Sequence, residues 1–485
     1  MTPTSTAARV DVIPPVIQGG MGVNVSSWQM ASAVAGAGGL GVISGVGPDL
    51  LLVRMLQDGD PSGDVRRAMA AYPDQVLVGS TLKKFFRPDG RPDGVPSRPF
   101  PRLDLGQRLE AVRLAALGAY VQVWLAKEGH HGVVGMNLLE KIQLWTPATL
   151  LGAMVAGVDV VLVGAGVPSQ LPRLLDSLAV GATVSMAVEV DGAHDEDSYE
   201  ITIDPRKVLR MDAVTLRRPA FLAIVSSHVL AAYLQKDEVT AADGFVVEGF
   251  TAGGHNSPPR RRELDASGQI VFGERDNADL VKMAALGLPF WLAGGYGSPA
   301  RVNDAMTAGA RGVQVGTPFA LSRESGLRPD LRAEILQNLR DGSLSVRTDP
   351  LASPTGFPFK VLELPGTLSD ESIRGSRIRN CDLGYLRIPF RRNDSSVGYR
   401  CPAEPVDAYV RKGGDAEDTE GRVCICNGLT ASAGFPQVRP DTGEEPPVLT
   451  LGADLAAAEE LLRHHPDGWS AVDVVTWLQE GIPTD

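Results

Sequence analysis

The stretch "LPFWLAGGYGSPARVNDAMTAGARGVQVGT", residues 288–317, contains two short apolar runs separated by a helix-like segment. The runs "PFWLAGG" and "GVQVGT" are almost continuously apolar and reach glycine at their ends, as strands buried on both faces of a sheet do. A strand, a helix and a second strand in this order predict a β–α–β unit whose strands are parallel.

The same kind of run recurs along the first 320 residues. The other six runs are "PPVIQGG" (14–20), "LGVISG" (40–45), "VVGMNLL" (133–139), "DVVLVGAG" (159–166), "FLAIVSS" (221–227) and "GFVVEG" (244–249). Eight strand–helix units predict an α/β fold of the (β/α)₈ TIM-barrel type. A doubly wound open sheet is the alternative, and eight regular units favour the barrel over it.

Two insertions interrupt the repeat, and the sequence changes character after it. Residues 48–130 form a long insertion after strand 2, and residues 184–204, after strand 4, alternate apolar and polar residues as a β-hairpin does. We predict a barrel domain at 1–345 and a C-terminal α+β cap region at 346–485, which ends in two helices. The segment "SPTGFPFK" (353–360) is predicted to return the chain to the barrel mouth.

Composition excludes some classes of function. The net charge of −12 argues against a nucleic-acid partner, because no global basic field collects phosphates. The N-terminus has no basic segment followed by an apolar one, and no run approaches 18 uninterrupted apolar residues. We therefore expect a cytoplasmic enzyme without a membrane span.

Glycine is concentrated where the predicted strands end, which is the face of a barrel that carries function. The glycine-rich stretches are "QGGMG" (18–22), "AGGH" (252–255), "AGGYG" (293–297) and "VGT" (315–317). Barrels commonly bind phosphate after strands 7 and 8. The pattern predicts a phosphate near Gly294, Gly295, Gly316 and Thr317, and a flat wall at Gly19, Gly20, Gly253 and Gly254. A planar phosphorylated cofactor suits this pattern, and tight turns without a ligand are the alternative.

Several motifs, taken in order, resemble the nitronate monooxygenase (2-nitropropane dioxygenase-like) family. They are "IQGGMG", "AVAGAGGLGVISG", "GVVGMNLL", "VVLVGAGVPS", "VEGFTAGGH", "LPFWLAGGYGSP" and "ARGVQVGTPFALSRESG". The resemblance covers roughly residues 10 to 340. The flavin-dependent enoyl-ACP reductases share that fold and are similar, so the resemblance implies an FMN-binding oxidoreductase.

The resemblance also implies roles for particular residues. The flavin ring would lie against Gly19, Gly20 and Met21, contact Asn137 and Glu248, and be backed by Gly253 and Gly254. The phosphate would be held by Gly295 with Gln314, Val315, Gly316 and Thr317. His255 matches the active-site histidine of the family. An imidazole that titrates near neutral pH can take or give a proton at the substrate carbon.

Departures from the family pattern leave the substrate open. Glu248 stands where nitronate monooxygenases usually have glutamine, and Thr251 replaces the usual glutamate. The element "GGHNSPPR" looks more like that of the stand-alone enoyl reductases of polyketide and polyunsaturated fatty acid synthases. The first reading is oxidation of an alkyl nitronate with O₂. The second is NAD(P)H-dependent reduction of an α,β-unsaturated acyl thioester carried by an acyl carrier protein. A homodimer fits either reading.

A few further residues are weaker candidates. His228, at the start of a helix after strand 5, and Arg260, the first of three arginines, are candidates for binding substrate or phosphate. The arginine run also fits a solvated loop. Cys381, Cys401, Cys424 and Cys426 are the only cysteines of the chain. Their clustering leaves open a structural zinc site or a group of buried thiols.

Overall fold

The computed structural model describes residues 9–237, 239–261, 263–266 and 268–483. Its strands are β1 Val16–Gln18, β2 Gly41–Ser44, β3 Val134–Leu139, β4 Val160–Gly164, β5 Val184–Ala187, β6 Glu200–Ile203, β7 Ala220–Val225, β8 Gly244–Glu248, β9 Phe290–Ala293, β10 Gly312–Val315, β11 Ser345–Asp349, β12 Phe359–Glu363, β13 Ile388–Arg391, β14 Val397–Arg400, β15 Val438–Arg439 and β16 Gly443–Glu444. Strands β1 to β4 and β7 to β10 fall on the eight apolar runs.

These eight strands form one parallel sheet in the order β1, β10, β9, β8, β7, β4, β3, β2. The two ends of the sheet meet through a parallel bridge between Ile17 and Leu40. Two backbone hydrogen bonds support the closure, from Gln18 N to Leu40 O (3.0 Å) and from Leu40 N to Val16 O (2.9 Å). The predicted (β/α)₈ barrel is therefore confirmed, and the alternative of an open doubly wound sheet is excluded.

The helices lie around and above the barrel. They are α1 Trp28–Gly36, α2 Pro48–Gln57, α3 Asp64–Ala70, α4 Gln75–Phe85, α5 Leu109–Lys127, α6 Thr146–Val155, α7 Leu171–Ala179, α8 Pro205–Leu209, α9 His228–Gln235, α10 Leu280–Ala285, α11 Pro299–Thr307, α12 Thr317–Ala320, α13 Pro329–Arg340, α14 Glu371–Ser376, α15 Val406–Arg411, α16 Ile425–Ser432, α17 Ala456–His464 and α18 Ala471–Gln479.

Alternate residues of the barrel strands point into the barrel and fill its lower part. This interior cluster is apolar and includes Val42, Leu162, Leu222, Val246 and Trp291, all with side chains without solvent exposure. The residues between them face the surrounding helices, so each strand is buried on both sides. The packed lower barrel leaves only its upper end, where the strands finish, for a site.

Both predicted insertions are present. The first contains α2, α3, α4 and α5, and the second is an antiparallel pair of β5 and β6 in which Val184 faces Ile203. Among the described residues, only α5 is long and apolar enough to cross a membrane by length and composition. However, 78% of its apolar window is buried inside the fold. It packs against α6 and α2, which accounts for its apolar surface.

The C-terminal region covers the barrel mouth. Strand β12 pairs with the loop after β8 through an antiparallel bridge between Phe359 and His255. Hydrogen bonds from Lys360 N to Gly254 O and from Asn256 N to Pro358 O, both 2.9 Å long, hold this contact. The predicted return of residues 353–360 to the mouth is confirmed.

A buried carboxylate joins the first insertion to this cap. Asp49 is 1% exposed and accepts hydrogen bonds from the Tyr385 hydroxyl (2.6 Å) and from Trp145 Nε1 (2.9 Å). Burial raises the pKa of Asp49, while these donors lower it. A buried acceptor without a donor is destabilising, because nothing offsets the loss of its hydration. The donors to Asp49 therefore stabilise the packing of the cap on the insertion.

We predict that Tyr385→Phe lowers the free energy of unfolding by about 1–3 kcal/mol, because Asp49 loses a donor inside the protein. Urea denaturation followed by circular dichroism measures the change. Tyr233→Phe is the matched control, since Tyr233 is 60% exposed and its hydroxyl has no partner among the described residues. Equal effects of the two substitutions would contradict the prediction.

Candidate active site

A cavity of about 230 Å³ lies at the carboxyl ends of the barrel strands, under the cap. Every residue predicted to bind the cofactor lines it, together with His255. These residues are Gly19, Gly20, Met21, Asn137, Glu248, Gly253, Gly254, Gly294, Gly295, Gln314, Val315, Gly316 and Thr317. The structure therefore brings the predicted site together in one place, and the role of each residue stays a prediction.

The uppermost layer of the barrel interior is polar. Asn137, Glu248 and Gln314 lie on three different strands and line the cavity. Asn137 Oδ1 and Gln314 Oε1 are buried and have no hydrogen-bond partner among the described residues. A planar ligand whose ring carries N–H and C=O groups would supply the missing partners, since buried polar atoms are normally paired. The ring of FMN fits this layer on that ground.

The positions of the predicted flat wall are occupied by glycine for different structural reasons. A Cβ on Gly20 would lie 2.2 Å from Asn137 Cγ, and one on Gly253 would lie 2.9 Å from the carbonyl carbon of Leu451. Both glycines are thus required by packing within the chain itself. A Cβ on Gly19 would lie 3.0 Å from Val315 O, whereas Gly254 faces open space. All four glycines line the cavity, but packing within the chain is enough to explain three of them.

The end of the cavity predicted to bind phosphate has backbone donors and one acidic side chain. Gly294 and Gly295 have φ angles of 85° and 79°, which side-chain-bearing residues rarely adopt. The Thr317 hydroxyl already accepts a hydrogen bond from Gly452 N (2.9 Å). Asp454 Oδ2 lies near Gly295, 3.2 Å from where a Cβ would be. A phosphate here would be held by backbone amides, with the Asp454 carboxylate opposing its charge.

His255 is fixed by the cap on two sides. Its Nε2 lies 2.7 Å from Ser353 Oγ, which lies 2.8 Å from Thr355 Oγ1, and its ring contacts Phe359 edge-on at 4.9 Å. Burial, with a smaller contribution from Lys141, lowers the pKa of His255 to about 4. The expectation that this imidazole titrates near neutral pH is therefore wrong. In the fold it is neutral, because burial disfavours the charged form.

Glu248 shows the opposite shift. Its carboxylate makes no hydrogen bond and no ion pair among the described residues, and burial raises its pKa to about 7. A glutamate with this pKa holds its proton at mildly acidic pH and releases it near neutrality. The site thus contains a neutral base, His255, and an acid, Glu248, that is protonated below about pH 7.

The cap supplies a large part of the apolar wall, which the sequence did not reveal. Its contribution comes from widely separated segments: Leu362, Leu386, Ile425, Cys426, Leu429, Leu449 and Leu451. Among the described residues, no lysine or arginine lines the cavity. The cavity therefore suits an apolar ligand portion and offers no fixed positive charge to a carboxylate or phosphate.

The two weaker candidates lie outside this cavity. His228 is the first residue of α9, and its buried Nδ1 has no partner among the described residues. It is not part of the cavity wall. Arg260 is exposed and borders a second, smaller cavity. Arg262 lies outside the described residues. Their predicted roles in binding substrate or phosphate gain no support from this placement.

The four cysteines do come together. Cys401 and Cys424 form a small buried cluster against which Cys381 and Cys426 pack, and all four are free thiols. Burial raises the pKa of Cys424 to about 11, so the free thiol is protonated near neutral pH. Within the described ranges, no group of three or more His, Cys, Asp or Glu side chains could hold a metal ion. The structural zinc site that the sequence left open gains no support, and the clustering agrees with buried thiols.

Comparisons with known proteins agree with the resemblance noted in the sequence. Residues 207–349, which include β7 to β10 and His255, match the family model described as nitronate monooxygenase. A Mycobacterium tuberculosis (strain ATCC 25618 / H37Rv) protein, (3aS,4S,5R,7aS)-5-hydroxy-7a-methyl-1-oxo-octahydro-1H-indene-4-carboxyl-CoA dehydrogenase, is 26% identical over 256 residues. This match covers 49% of the chain and 66% of that relative, slightly less than two thirds of its length.

Two solved structures are similar over nearly the whole chain. FabK from Thermotoga maritima has a TM-score of 0.47 and 16% identity, covering 99% of this chain and 96% of that one. Nitroalkane oxidase from Streptomyces ansochromogenes has a TM-score of 0.42 and 18% identity, covering 98% and 99%.

We predict that Glu248→Gln stabilises the protein at about pH 8 but not at about pH 5. Between the pKa of Glu248 in the unfolded chain and its raised pKa in the folded protein, only the folded protein holds the proton. The free energy of unfolding of the wild type therefore falls as the pH rises through this window. The gain at pH 8 should be about 1–3 kcal/mol in urea unfolding. The exposed Glu334→Gln is the control. An increase in stability that is the same at both pH values would contradict the raised pKa of Glu248.

We also predict that Asp454→Asn tightens FMN binding by about two- to tenfold, because it removes a negative charge beside the predicted phosphate position. Fluorescence titration of the FMN-free protein measures the dissociation constant. Asp467→Asn changes the charge equally at an exposed turn and serves as the control. Unchanged affinity in Asp454→Asn would place the phosphate elsewhere.

Proposed function

We propose that this protein is an FMN-dependent oxidoreductase that oxidises a small apolar alkyl nitronate, or its parent nitroalkane, with O₂. The observation that carries the proposal is a neutral, half-buried His255 on a glycine-rich loop of a barrel-end cavity whose wall is largely apolar beyond the polar layer. The match of residues 207–349 to the nitronate monooxygenase model supports the same reading. When bound, FMN would take electrons from the substrate and pass them to O₂.

His255 would act as the base that removes the α-proton of a nitroalkane. When Ser353 donates its proton to Thr355, the Ser353 oxygen accepts from His255 Nε2–H. Nδ1 then keeps its lone pair and can receive a proton. Because burial keeps the imidazole neutral, this base is available at every pH above about 4.

The cap residues would hold the alkyl portion and exclude water. Leu386, Ile425 and Leu429 come from the C-terminal region and complete the wall over the polar layer. A dry wall strengthens the hydrogen bonds that a nitro group makes inside the cavity. The absence of lysine and arginine from the described lining fits a substrate without carboxylate or phosphate in this space.

Reduction of an α,β-unsaturated acyl thioester is the second candidate, favoured by Glu248. A protonated carboxyl group beside the ring layer could protonate the α-carbon of the substrate after NAD(P)H-derived reduction. The Mycobacterium tuberculosis relative is named for a CoA thioester, which fits this class of substrate. The thioester could come from CoA or from an acyl carrier protein. A homodimer and a cytoplasmic location stay predictions under both candidates.

The deciding experiment mixes the FMN-loaded protein anaerobically with an alkyl nitronate, NADH or NADPH and follows the flavin absorbance. We expect bleaching by the nitronate and none by the nicotinamides. His255→Ala should slow turnover of the parent nitroalkane by about 10²–10⁴-fold, whereas the exposed His131→Ala should not. Rapid bleaching by NADH or NADPH alone would move the assignment to the thioester reductase.

The pH profile separates the candidates further. If neutral His255 is the base, kcat/KM falls as pH decreases through about 4, because protonation removes the base. If protonated Glu248 is the essential acid, kcat/KM instead falls as pH rises above about 7. The pH at which kcat/KM falls, measured over one range that includes both values, therefore reports which group is used.

A further inference from the structure

A second cavity adjoins the main one at Glu248. Its volume is about 120 Å³, and Glu248 lines both spaces. Its wall is largely polar where the main cavity is largely apolar. The residues that contribute polar side chains are Ser226, Ser227, Glu248, Asn256, Ser257, Arg260 and Asp276. We call this space the polar cavity.

The strand register places polar groups next to Glu248. Val225 of β7 is paired with Val247 of β8, so Ser226 lies beside Glu248 where the two strands end. The Ser226 hydroxyl has no hydrogen-bond partner among the described residues. Two unpartnered oxygen-bearing groups therefore stand side by side between the polar cavity and the main one.

Asn256 contributes a third group of this kind. It is 2% exposed, and its Nδ2 donates to Ala252 O (3.0 Å), which fixes the side chain against the loop that carries His255. Its Oδ1 is buried and has no partner among the described residues. Buried polar atoms of this type are usually paired with protein or with ordered water.

The outer rim of the polar cavity is well defined. Phe250 and Phe272 stack at 4.8 Å with an interplanar angle of 4°. Asp276 accepts hydrogen bonds from the backbone N–H groups of Arg260 and Gly273, both 2.8 Å long. Arg260 is exposed, so the rim lies at the protein surface. A route therefore runs from solvent at Arg260, past Asn256 and Ser226, to Glu248.

We propose that water in the polar cavity exchanges protons between solvent and Glu248, and that Glu248 passes its proton to a ligand in the main cavity. The space exceeds the volume needed for one water, and each water there finds several polar partners. The main cavity is larger and its lining is mostly apolar, so a chain of waters finds a smaller share of polar partners there. The polar cavity thus provides a proton route to Glu248 on the side away from the apolar wall.

The transfer is a balanced proton relay. The O–H bond of the Glu248 carboxyl breaks as the proton goes to a basic atom of the ligand, and the resulting carboxylate takes a proton from the adjacent water. That water is restored from solvent at the rim, and nothing is oxidised or reduced. Two charged side chains, Arg260 and Asp276, line the polar cavity with Glu248, and neither pairs with it. The other titratable side chains that line the main cavity do not pair with it either; they are His255, Tyr296, Tyr385, Cys426 and Asp454.

The identity of the receiving ligand rests on the proposed function, but the water route does not. The test therefore uses the purified FMN-loaded protein without substrate. At about pH 5.5, below the raised pKa of Glu248, the infrared spectrum should contain a carboxylic acid band that Glu248→Gln removes. Transfer into D₂O shifts this band, and the rate of the shift measures proton access to Glu248.

We expect Ser226→Val to slow the shift by about an order of magnitude or more, because two methyl groups replace the hydroxyl beside Glu248. Asn256→Leu should act in the same direction. Ser177→Val on α7, whose side chain has no partner among the described residues, is the matched control and should exchange as the wild type does. Circular dichroism of each variant confirms that it is folded.

Two results would overturn the proposal. Wild-type exchange rates in folded Ser226→Val and Asn256→Leu would mean that protons reach Glu248 through the main cavity. An unchanged spectrum in Glu248→Gln would mean that Glu248 carries no proton at this pH. Neither outcome bears on whether a nitronate bleaches the flavin, so failure of the relay and failure of the proposed function are told apart.

Discussion

The candidate site depends on one backbone pairing, between the loop after β8 and strand β12 of the cap. Hydrogen bonds between Lys360 and Gly254, and between Asn256 and Pro358, lie on either side of His255. Residues more than 100 positions apart in the chain are thereby held as an antiparallel ladder. Because Ser353 and Phe359 belong to the same cap segment, the pairing also sets the partners of the imidazole.

This pairing changes the chemistry of His255 as well as its position. On an uncovered barrel end the imidazole would contact water and titrate near its ordinary pKa. Under the cap it loses that solvation, and its pKa falls to about 4. The adjoining contacts extend the cover along the mouth, since Gly254 N donates to Thr450 Oγ1 (2.8 Å) and Ala453 N donates to Thr251 O (2.8 Å). The cap is thus part of the site.

The sequence predicted the barrel well and the cap wall poorly, for a physical reason. Strands such as β4 and β9 are recognisable because burial on both faces makes them continuously apolar and glycine ends them. The residues lining the predicted cofactor site follow from those strand ends. Tyr385, Cys426 and Leu451 reach the cavity from separate loops and a helix start, where no periodicity marks the inward side. Their placement results from long-range packing, which a local pattern does not encode.

Among the described residues of the eight barrel strands, the buried side-chain atoms without partners lie at one level, and that placement is itself informative. Asn137 and Gln314 leave buried oxygens without partners, and Glu248 is a carboxylate without an ion pair. Each costs stability that an apolar residue of similar size would not cost. The lower barrel, filled by residues such as Val246 and Trp291, has no such cost. Unpaired groups on the barrel strands at the covered end are what a preorganised ligand site requires, because the ligand supplies the missing partners. The same reasoning extends to Asn256, whose unpaired oxygen lies on the other side of Glu248 and marks a place for water.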